Sequence, residues 1–341
     1  MNDSFLIKSN CTVREAMALL GETQGLGLIV VNDSQKLLGT ITDGDVRRSL
    51  LNGGSVDDFV EEVMCEEPLV SIQGNSVQDS YEEAREKLLR IIPVIDQEKT
   101  VVDILFVDDH KNVADIPVVI MAGGLGSRLG SLTEDCPKPM LEVGGRPILE
   151  IIIDRLKQQG FSTFYISVNY MAEVIEHYFG NGKGFDCNIQ YIRESKKLGT
   201  AGALSLLPSE LPESLFVMNG DLLTKVDFRN LREFHYSHKS PLTLGVRRFE
   251  HQVPYGVLSI SGEYLGSLKE KPVESYFVNA GVYLLNTSLL KYIPHDDYFD
   301  MPALINTLIQ QNIKVSCFPI VEKWIDIGQI SHLNSARENY E

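Results

Sequence analysis

Ile116-Pro-Val-Val-Ile-Met-Ala-Gly-Gly-Leu-Gly-Ser-Arg-Leu-Gly130, followed closely by Cys136-Pro-Lys-Pro-Met140, decides how this chain is read. The apolar run Val118 to Ala122 predicts a buried strand, and it empties into a loop carrying Gly123, Gly124 and Gly126. Without a Cβ in the way, such a loop can bring backbone N–H groups up to a phosphate. Arg128 and Lys138 then add fixed positive charge where a polyphosphate would lie. Two familiar glycine patterns fail here. A dinucleotide fingerprint needs a third glycine where Leu129 stands, and a Walker A loop needs Gly-Lys-Ser/Thr, which is absent.

At 341 residues the chain suits two domains, and 43% apolar with 23% charged residues is the balance of a soluble globular protein. A formal charge of −16 argues against nucleic acid or an anionic membrane as partner. It also means that a bound polyphosphate needs locally concentrated Lys and Arg, or a metal. Phe5-Leu6-Ile7 is too short for a secretory signal, and no apolar run approaches the ~18 residues of a spanning helix, so a cytoplasmic protein is expected. The five cysteines (Cys11, Cys65, Cys136, Cys187, Cys317) are scattered without C-x-x-C spacing and read as free thiols in a reducing compartment.

Residues 1–113 contain a repeat. Thr12-Val-Arg-Glu15 opens an apolar-periodic helix with a capping box, and Ser76-Val-Gln-Asp79 is expected to do the same at an offset of 64 (76 − 12 = 64). The same offset carries Val31-Asn-Asp33 onto Ile95-Asp-Gln97 and Asp45 onto Asp109. Two copies of one unit follow, about 1–62 and 63–113, each reading helix, strand, turn, strand, with a further helix from Asp45 to Leu51 in the first. The pair resembles a tandem cystathionine-β-synthase (CBS) module. Gly39-Thr-Ile-Thr42-Asp-Gly-Asp45 fits that family's adenosine site, so the resemblance gives Thr42 and Asp45 to the ribose of an adenine-nucleotide effector. Copy two departs from the pattern, with Asp103 and Phe106 in place of Gly39 and Thr42. A ligand-free dimerisation or packing module is the other reading. Residues from about Asp108 to Ile116 are polar and read as a linker.

From Pro117 onward strands alternate with amphipathic segments. Helices are expected over Pro147–Gln159 and Ala172–Phe179, and strands over Phe164–Val168 and Leu215–Met218, the latter running into Asn219-Gly220-Asp221. Such alternation predicts an α/β fold with a mostly parallel sheet and ligands at the carboxyl ends of its strands. Gly-Gly-x-Gly-x-Arg-Leu with Pro-Lys-Pro resembles the signature of the sugar-phosphate nucleotidyltransferases, and further motifs follow in that family's order over 117–335. The resemblance implies a Rossmann-like nucleotidyltransferase domain (117–341) preceded by an α+β CBS pair.

It also implies roles. Ala122, Gly123, Gly124 and Gly126 would cradle the nucleotide, with Arg128 and Lys138 as catalytic cations. Asp221 and Asp326, in Asn219-Gly-Asp221 and Trp324-Ile-Asp326-Ile-Gly328, would hold Mg²⁺, and Gly220 would contact the nucleotide. Leu198-Gly199-Thr200-Ala-Gly-Ala203 and Asn169-Tyr170 would meet base and ribose. Tyr255-Gly256-Val257, Glu270-Lys271-Pro272 and Asn279-Ala-Gly281 would take the sugar 1-phosphate, with Lys271 on its phosphate.

Nucleotidyl transfer asks little covalent work of a protein, because an already anionic acceptor phosphate attacks the α-phosphorus and diphosphate leaves; positioning and charge neutralisation suffice. The expected reaction joins GTP to glucosamine 1-phosphate or mannose 1-phosphate for surface glycans. Another base, or cytidylyl transfer to a phosphoalcohol, stays open, as does a nucleotide-sensing subunit with an inactive transferase fold. A homodimer or larger assembly is expected. The chain ends at Glu341 without a hexapeptide repeat, so no acyltransferase domain is expected. His235 and His238, three apart on a helix over Leu231–His238, read as solvated surface rather than metal ligands.

Overall fold

A computed structural model describes residues 3–23, 25–107 and 115–339; Asp109 and positions 108–114 of the predicted linker lie outside the described residues. Contacts divide the chain into two units, Met1–Ile116 with Asp227–Ser240, and Pro117–Val226 with Pro241–Glu341.

The first unit shows the repeat directly. Strands β1 (Leu6–Lys8), β2 (Leu28–Val31) and β3 (Leu37–Ile41) form one sheet, and β4 (Ser71–Ile72), β5 (Ile91–Ile95) and β6 (Val101–Phe106) form another. In both, the first pair is parallel and the second antiparallel, with a register break at Val30/Val31 and again at Val94/Ile95. Identical topology down to the irregularity is what duplicated sequence predicts. The copies share one core of Phe5, Ile29, Val31, Ile91, Ile95, Val101 and Ile104.

Helix Val13–Glu22 starts on the expected box: Thr12 N–H donates to Glu15 Oε2 at 2.7 Å, and Glu15 N–H to Thr12 Oγ1 at 3.2 Å. In the second copy the cap position falls on Val77, and the side chain of Asp79 lies outside the described residues. Val77 is already helical there (φ −87°, ψ −8°), which leaves Ser76 one residue outside the cap, accepting from Gln78 N–H at 3.4 Å.

Helix Phe228–His238 groups with this first unit although transferase-like sequence flanks it. Its buried stripe Phe228, Leu231, His235 recurs at helical spacing, and His235 is 1% exposed. The solvated reading of His235 is therefore corrected: the ring faces inward because it continues the apolar stripe. His238 stacks on Phe234, centroids 3.9 Å apart.

The second unit is built on a seven-stranded sheet. Its strands are β7 (Val118–Met121), β10 (Thr163–Val168), β11 (Asn188–Arg193), β12 (Ser214–Asn219), β14 (Leu242–Gln252), β17 (Val273–Asn286) and β18 (Val315–Pro319), in spatial order β11-β10-β7-β12-β17-β14-β18. Small pairs lie outside it: β8 (Glu142–Val143) with β9 (Arg146–Pro147), β13 (Leu222–Thr224) with β19 (Trp324–Asp326), and β15 (Val257–Ser261) with β16 (Tyr264–Lys269). The first four strands of the sheet are mutually parallel, β17 is antiparallel to both neighbours, and β14 is parallel to β18. Val118, Val119 and Ile120 are fully buried, as expected of a central strand covered on both faces. Phe161 meets Phe216 edge-to-face at 5.3 Å on this sheet.

Segment Gly199–Gly202 is helical and clamped by Asp300. The Asp300 carboxylate accepts from Thr200 N–H at 3.0 Å and from Tyr298 O–H, while Thr200 Oγ1 accepts from Met301 N–H at 2.9 Å, at the start of helix Met301–Gln310.

Beyond Val246 and Val282, β14 and β17 lose their outer partners. They run on as a two-stranded ribbon, Arg247–Gln252 against Val273–Val278, tipped by the β15–β16 hairpin.

Phe216→Ala should cost ~3–5 kcal/mol through the cavity it leaves, read by urea denaturation followed with a probe in the second unit. Burial opposes charge on Asp300, but bonds from Tyr298 and Thr200 and the Lys197 charge outweigh it and hold its pKa below the usual range. A depressed carboxyl stabilises the fold above its unfolded pKa and loses that contribution as pH falls through the folded one. The stability gap between wild type and Asp300→Asn should therefore be full at neutral pH and shrink below about pH 4.

Candidate active site

Two strand ends and one late hairpin converge. β7 ends at Met121, and the chain turns at once through Ala122, whose N–H donates to Ser167 O on β10 at 2.9 Å. β12 ends at Asn219, and Gly220 N–H donates to Met121 O at 2.9 Å. A Cβ on Gly220 would lie 2.8 Å from that carbonyl, so only glycine lets the two strand ends pack this closely. Asp221 follows, between β12 and β13. β13 pairs with β19 so that Leu222 faces Asp326, and Ile327 N–H donates to Asp221 O at 3.1 Å. The two aspartates, a hundred residues apart in sequence, are thereby neighbours.

The glycine loop and the cations close over them. Gly126 takes φ +66° and turns the chain into the 3₁₀ segment Ser127–Thr133, Thr133 Oγ1 donating back to Gly126 O at 3.1 Å. Lys138, in the short 3₁₀ turn after Pro137, is 8% exposed and pairs with Asp221 Oδ2. Gly328 shows where Arg128 lies: a Cβ there would be 3.4 Å from Asp326 Oδ2 and 3.6 Å from an Arg128 terminal nitrogen. Arg128, Lys138, Asp221 and Asp326 thus form one cluster.

Its electrostatics fit a divalent cation. Asp221 Oδ1 is buried and has no hydrogen-bond partner among the described residues. Burial and the neighbouring Asp221 charge push the Asp326 carboxyl up, with Lys138, Arg128 and His332 offsetting part of this. An orphaned carboxylate oxygen beside a second, repelled carboxylate is the donor set a divalent cation satisfies. No group of three or more His, Cys, Asp or Glu side chains gathers to hold a metal among the described residues.

The base-side residues are placed by a side chain the motifs did not single out. Glu194, just after β11, accepts from Ser167 Oγ and, at 3.0 Å, from Leu198 N–H, while its backbone O accepts from Asn169 Nδ2 at 2.9 Å. A Cβ on Gly123 would lie 2.6 Å from Glu194 Oε1. Glu194 therefore ties the glycine loop, Asn169 and the Leu198–Gly202 segment into one wall, and the close glycine contact is its one trace in the sequence. Gly199 takes φ +81° against Phe299 O and Asp300, and Thr200 is engaged by Asp300 as described. Gly124 has open space above it. Burial and the Glu142 charge push the Cys136 thiol up, away from reactivity.

The residues expected to meet the sugar 1-phosphate belong to the β14–β17 ribbon and its tip. Asn279, at the base of the ribbon, is bonded to Tyr283 and to Gly281 N–H. Gly256, Glu270 and Lys271 are on the exposed ribbon tip, and no hydrogen bond or ion pair joins them to the four clustered residues among those described.

In the first unit Thr42 and Asp45 cap helix Asp43–Leu51: Thr42 Oγ1 donates to Asp45 Oδ2 at 2.6 Å, and Arg48 pairs with the other oxygen. Both line a cleft of about 280 Å³ with Arg48, Arg90, Asn230 and Glu233. Arg90 and Glu233 pair at 3.0 Å, and Asn230 Oδ1, in a residue 8% exposed, has no partner among the described residues. Gly39 has a structural duty, since a Cβ would come within 2.4 Å of Cys65 O.

The family model described as nucleotidyl transferase matches residues 117–341, and that of the CBS domain matches residues 1–52. Mannose-1-phosphate guanyltransferase of Schizosaccharomyces pombe is 32% identical over 62% of this chain, which spans 60% of that relative's length. D-glycero-α-D-manno-heptose 1-phosphate guanylyltransferase of Aneurinibacillus thermoaerophilus is 35% identical over 51% of this chain and 76% of its own. The crystal structure of HddC from Yersinia pseudotuberculosis complexed with GMP-PN superposes with a TM-score of 0.53 at 28% identity, covering 66% of this chain and all of that one. With the strand ends, glycine loop and paired aspartates in place, the chain belongs to the nucleotidyl transferase family and carries a CBS domain in its first part.

Proposed function

We propose that the second unit transfers a nucleotidyl group from a nucleoside triphosphate, GTP by preference, to glucosamine 1-phosphate or mannose 1-phosphate. The acceptor phosphate oxygen forms a bond to the α-phosphorus as the bond to the diphosphate breaks, giving an NDP-sugar for surface glycans. The observation that carries this reading is the convergence of Arg128, Lys138, Asp221 and Asp326 beside the Gly123–Gly126 loop. Guanine is favoured because the curated relatives above are guanyltransferases and the structural neighbour was crystallised with GMP-PN.

In this reading the loop N–H groups hold the phosphates, Arg128 neutralises the charge spreading onto the leaving diphosphate, and Lys138 moves from Asp221 toward the α-phosphate. Asp221 and Asp326 would hold Mg²⁺, which when bound supplies charge neutralisation and in-line alignment of the phosphates. Glu194 and Asp300 keep the base-side wall rigid, and Lys271 anchors the acceptor phosphate.

Asp221→Ala and Lys138→Ala should each lower kcat/KM by ~10²–10³, and chelating Mg²⁺ should abolish turnover. The assay is diphosphate release with four NTPs against a panel of sugar 1-phosphates. An unchanged rate in Asp221→Ala removes the catalytic assignment.

The cleft of the first unit is proposed to take an adenine nucleotide, Asp45 receiving ribose hydroxyls and the unpartnered Asn230 Oδ1 an N–H or O–H donor. Calorimetry of AMP, ADP and ATP on the full chain should show binding that Asn230→Leu weakens about five- to tenfold. Silence at millimolar ligand discards the site.

A further inference from the structure

Helix Phe228–His238 belongs to the transferase by sequence and to the repeat by packing. It lies inside the span 117–341 matched by the nucleotidyl transferase model, yet its contacts group it with the first unit. Asn230, Glu233, Phe234 and Ser237, spaced i, i+3, i+4 and i+7, form one face of it. That face is a wall of the cleft that holds Thr42 and Asp45.

The helix is closely seated there. Glu233 pairs with Arg90 at 3.0 Å. Gly25 takes φ +72° and comes so near that a Cβ on it would lie 2.5 Å from Asn230 Oδ1. That oxygen is nevertheless buried without a hydrogen-bond partner among the described residues. An unmet acceptor in a cleft wall destabilises the empty state, and an N–H or O–H donor on a ligand relieves it.

The start of the same helix leads to the metal carboxylates. β13 follows Asp221 directly, and its register sets Leu222 opposite Asp326. Three residues, 225–227, separate β13 from the helix, and each is fixed. Lys225 N–H donates to Lys323 O at 2.8 Å, one residue before β19. Val226 is fully buried; its N–H donates to Thr224 Oγ1 at 3.2 Å, and its O accepts from Gln159 Nε2 at 3.0 Å. Asp227 caps the helix, its carboxylate accepting from Arg229 N–H at 2.8 Å. Arg155 Nη1 adds a bond to Thr224 O at 2.8 Å. The link has no slack in which a movement of the helix could be lost.

Resting on the readings of the cleft and of the aspartate pair above, we infer that helix Phe228–His238 couples the two sites. A ligand that satisfies Asn230 steadies the helix, and through residues 225–227 it steadies β13 and the Asp221–Asp326 pair. The coupling is positive, because each ligand orders backbone that the other needs ordered. It is also reciprocal: the factor by which the cleft ligand tightens Mg²⁺ and NTP is the factor by which they tighten the cleft ligand.

Calorimetry on the full chain measures the linkage, with AMP as the cleft probe and Mg²⁺ with GTP, no acceptor present, at the other site. AMP should bind about fivefold or more tightly in saturating Mg²⁺ and GTP, and GTP should gain the same factor from AMP. An AMP affinity that Mg²⁺ and GTP leave unchanged or weaken overturns the coupling. Hydrogen exchange reads the route. AMP should slow the amides of 222–227 together with those of 228–238, and protection confined to the helix and the cleft overturns it. A third arm needs no ligand. Glu233→Gln, which breaks the ion pair with Arg90, should speed exchange across 222–227, and unchanged exchange there overturns the route. Silence of AMP discards the adenine reading, and absence of GTP binding discards the transferase reading. In either case the Glu233→Gln comparison still decides the coupling.

Discussion

The contact on which the second unit depends is the pair of Asp221 and Asp326, two carboxylates held against each other at the sheet's end. Unscreened, like charges there would push the β13–β19 pair apart, and burial makes Asp326 harder to keep ionised. Lys138 answers on one side and Arg128 on the other, yet one buried Asp221 oxygen is left without a donor among the described residues. Structure and chemistry meet at this point. The cations that make the folded state tolerable are the groups a triphosphate would recruit, and the orphaned oxygen is where a divalent cation fits.

Much of the surrounding backbone serves that contact. Gly220 lets β12 lie against the end of β7, and Gly126 turns the loop so that Lys138 comes back over the strand ends. Glu194 and Asp300 are carboxylates of another kind. Each is satisfied by backbone N–H and hydroxyl donors, and each staples a segment named for the base side to the sheet or to a helix. Their charge is spent on rigidity, and that of Asp221 is kept available.

The first unit follows the same economy in reverse. Thr42 and Asp45 bond to each other to cap a helix, so their side chains have a structural duty before any ligand arrives. The open valence of that cleft is on Asn230, in a helix whose sequence is separated from the repeat by the first half of the transferase strands.

The periodicity and offset of the sequence by themselves determined the duplicated first unit, the strand–helix alternation of the second and the glycine loop, because these are local patterns with one backbone solution each. They also placed the glycine loop with Arg128, and Asp221, at strand ends, while Asp326 was named only through the family resemblance; tertiary packing brings these and Lys138 together. Glu194 and Asp300 were not legible, since a lone Glu after a strand and a lone Asp before a helix look like caps until their partners, up to a hundred residues away, are in view. His235 looked solvated because a histidine pair on a helix carries no sign of which face is buried. The second helix is capped one residue later than the offset of 64 predicts, at Val77, whose backbone is already helical. Only the tertiary structure decided that Lys271 stands on an exposed ribbon. Hairpin sequence specifies which strands pair, but the direction in which a ribbon leaves its sheet is set by a bulge and a left-handed glycine.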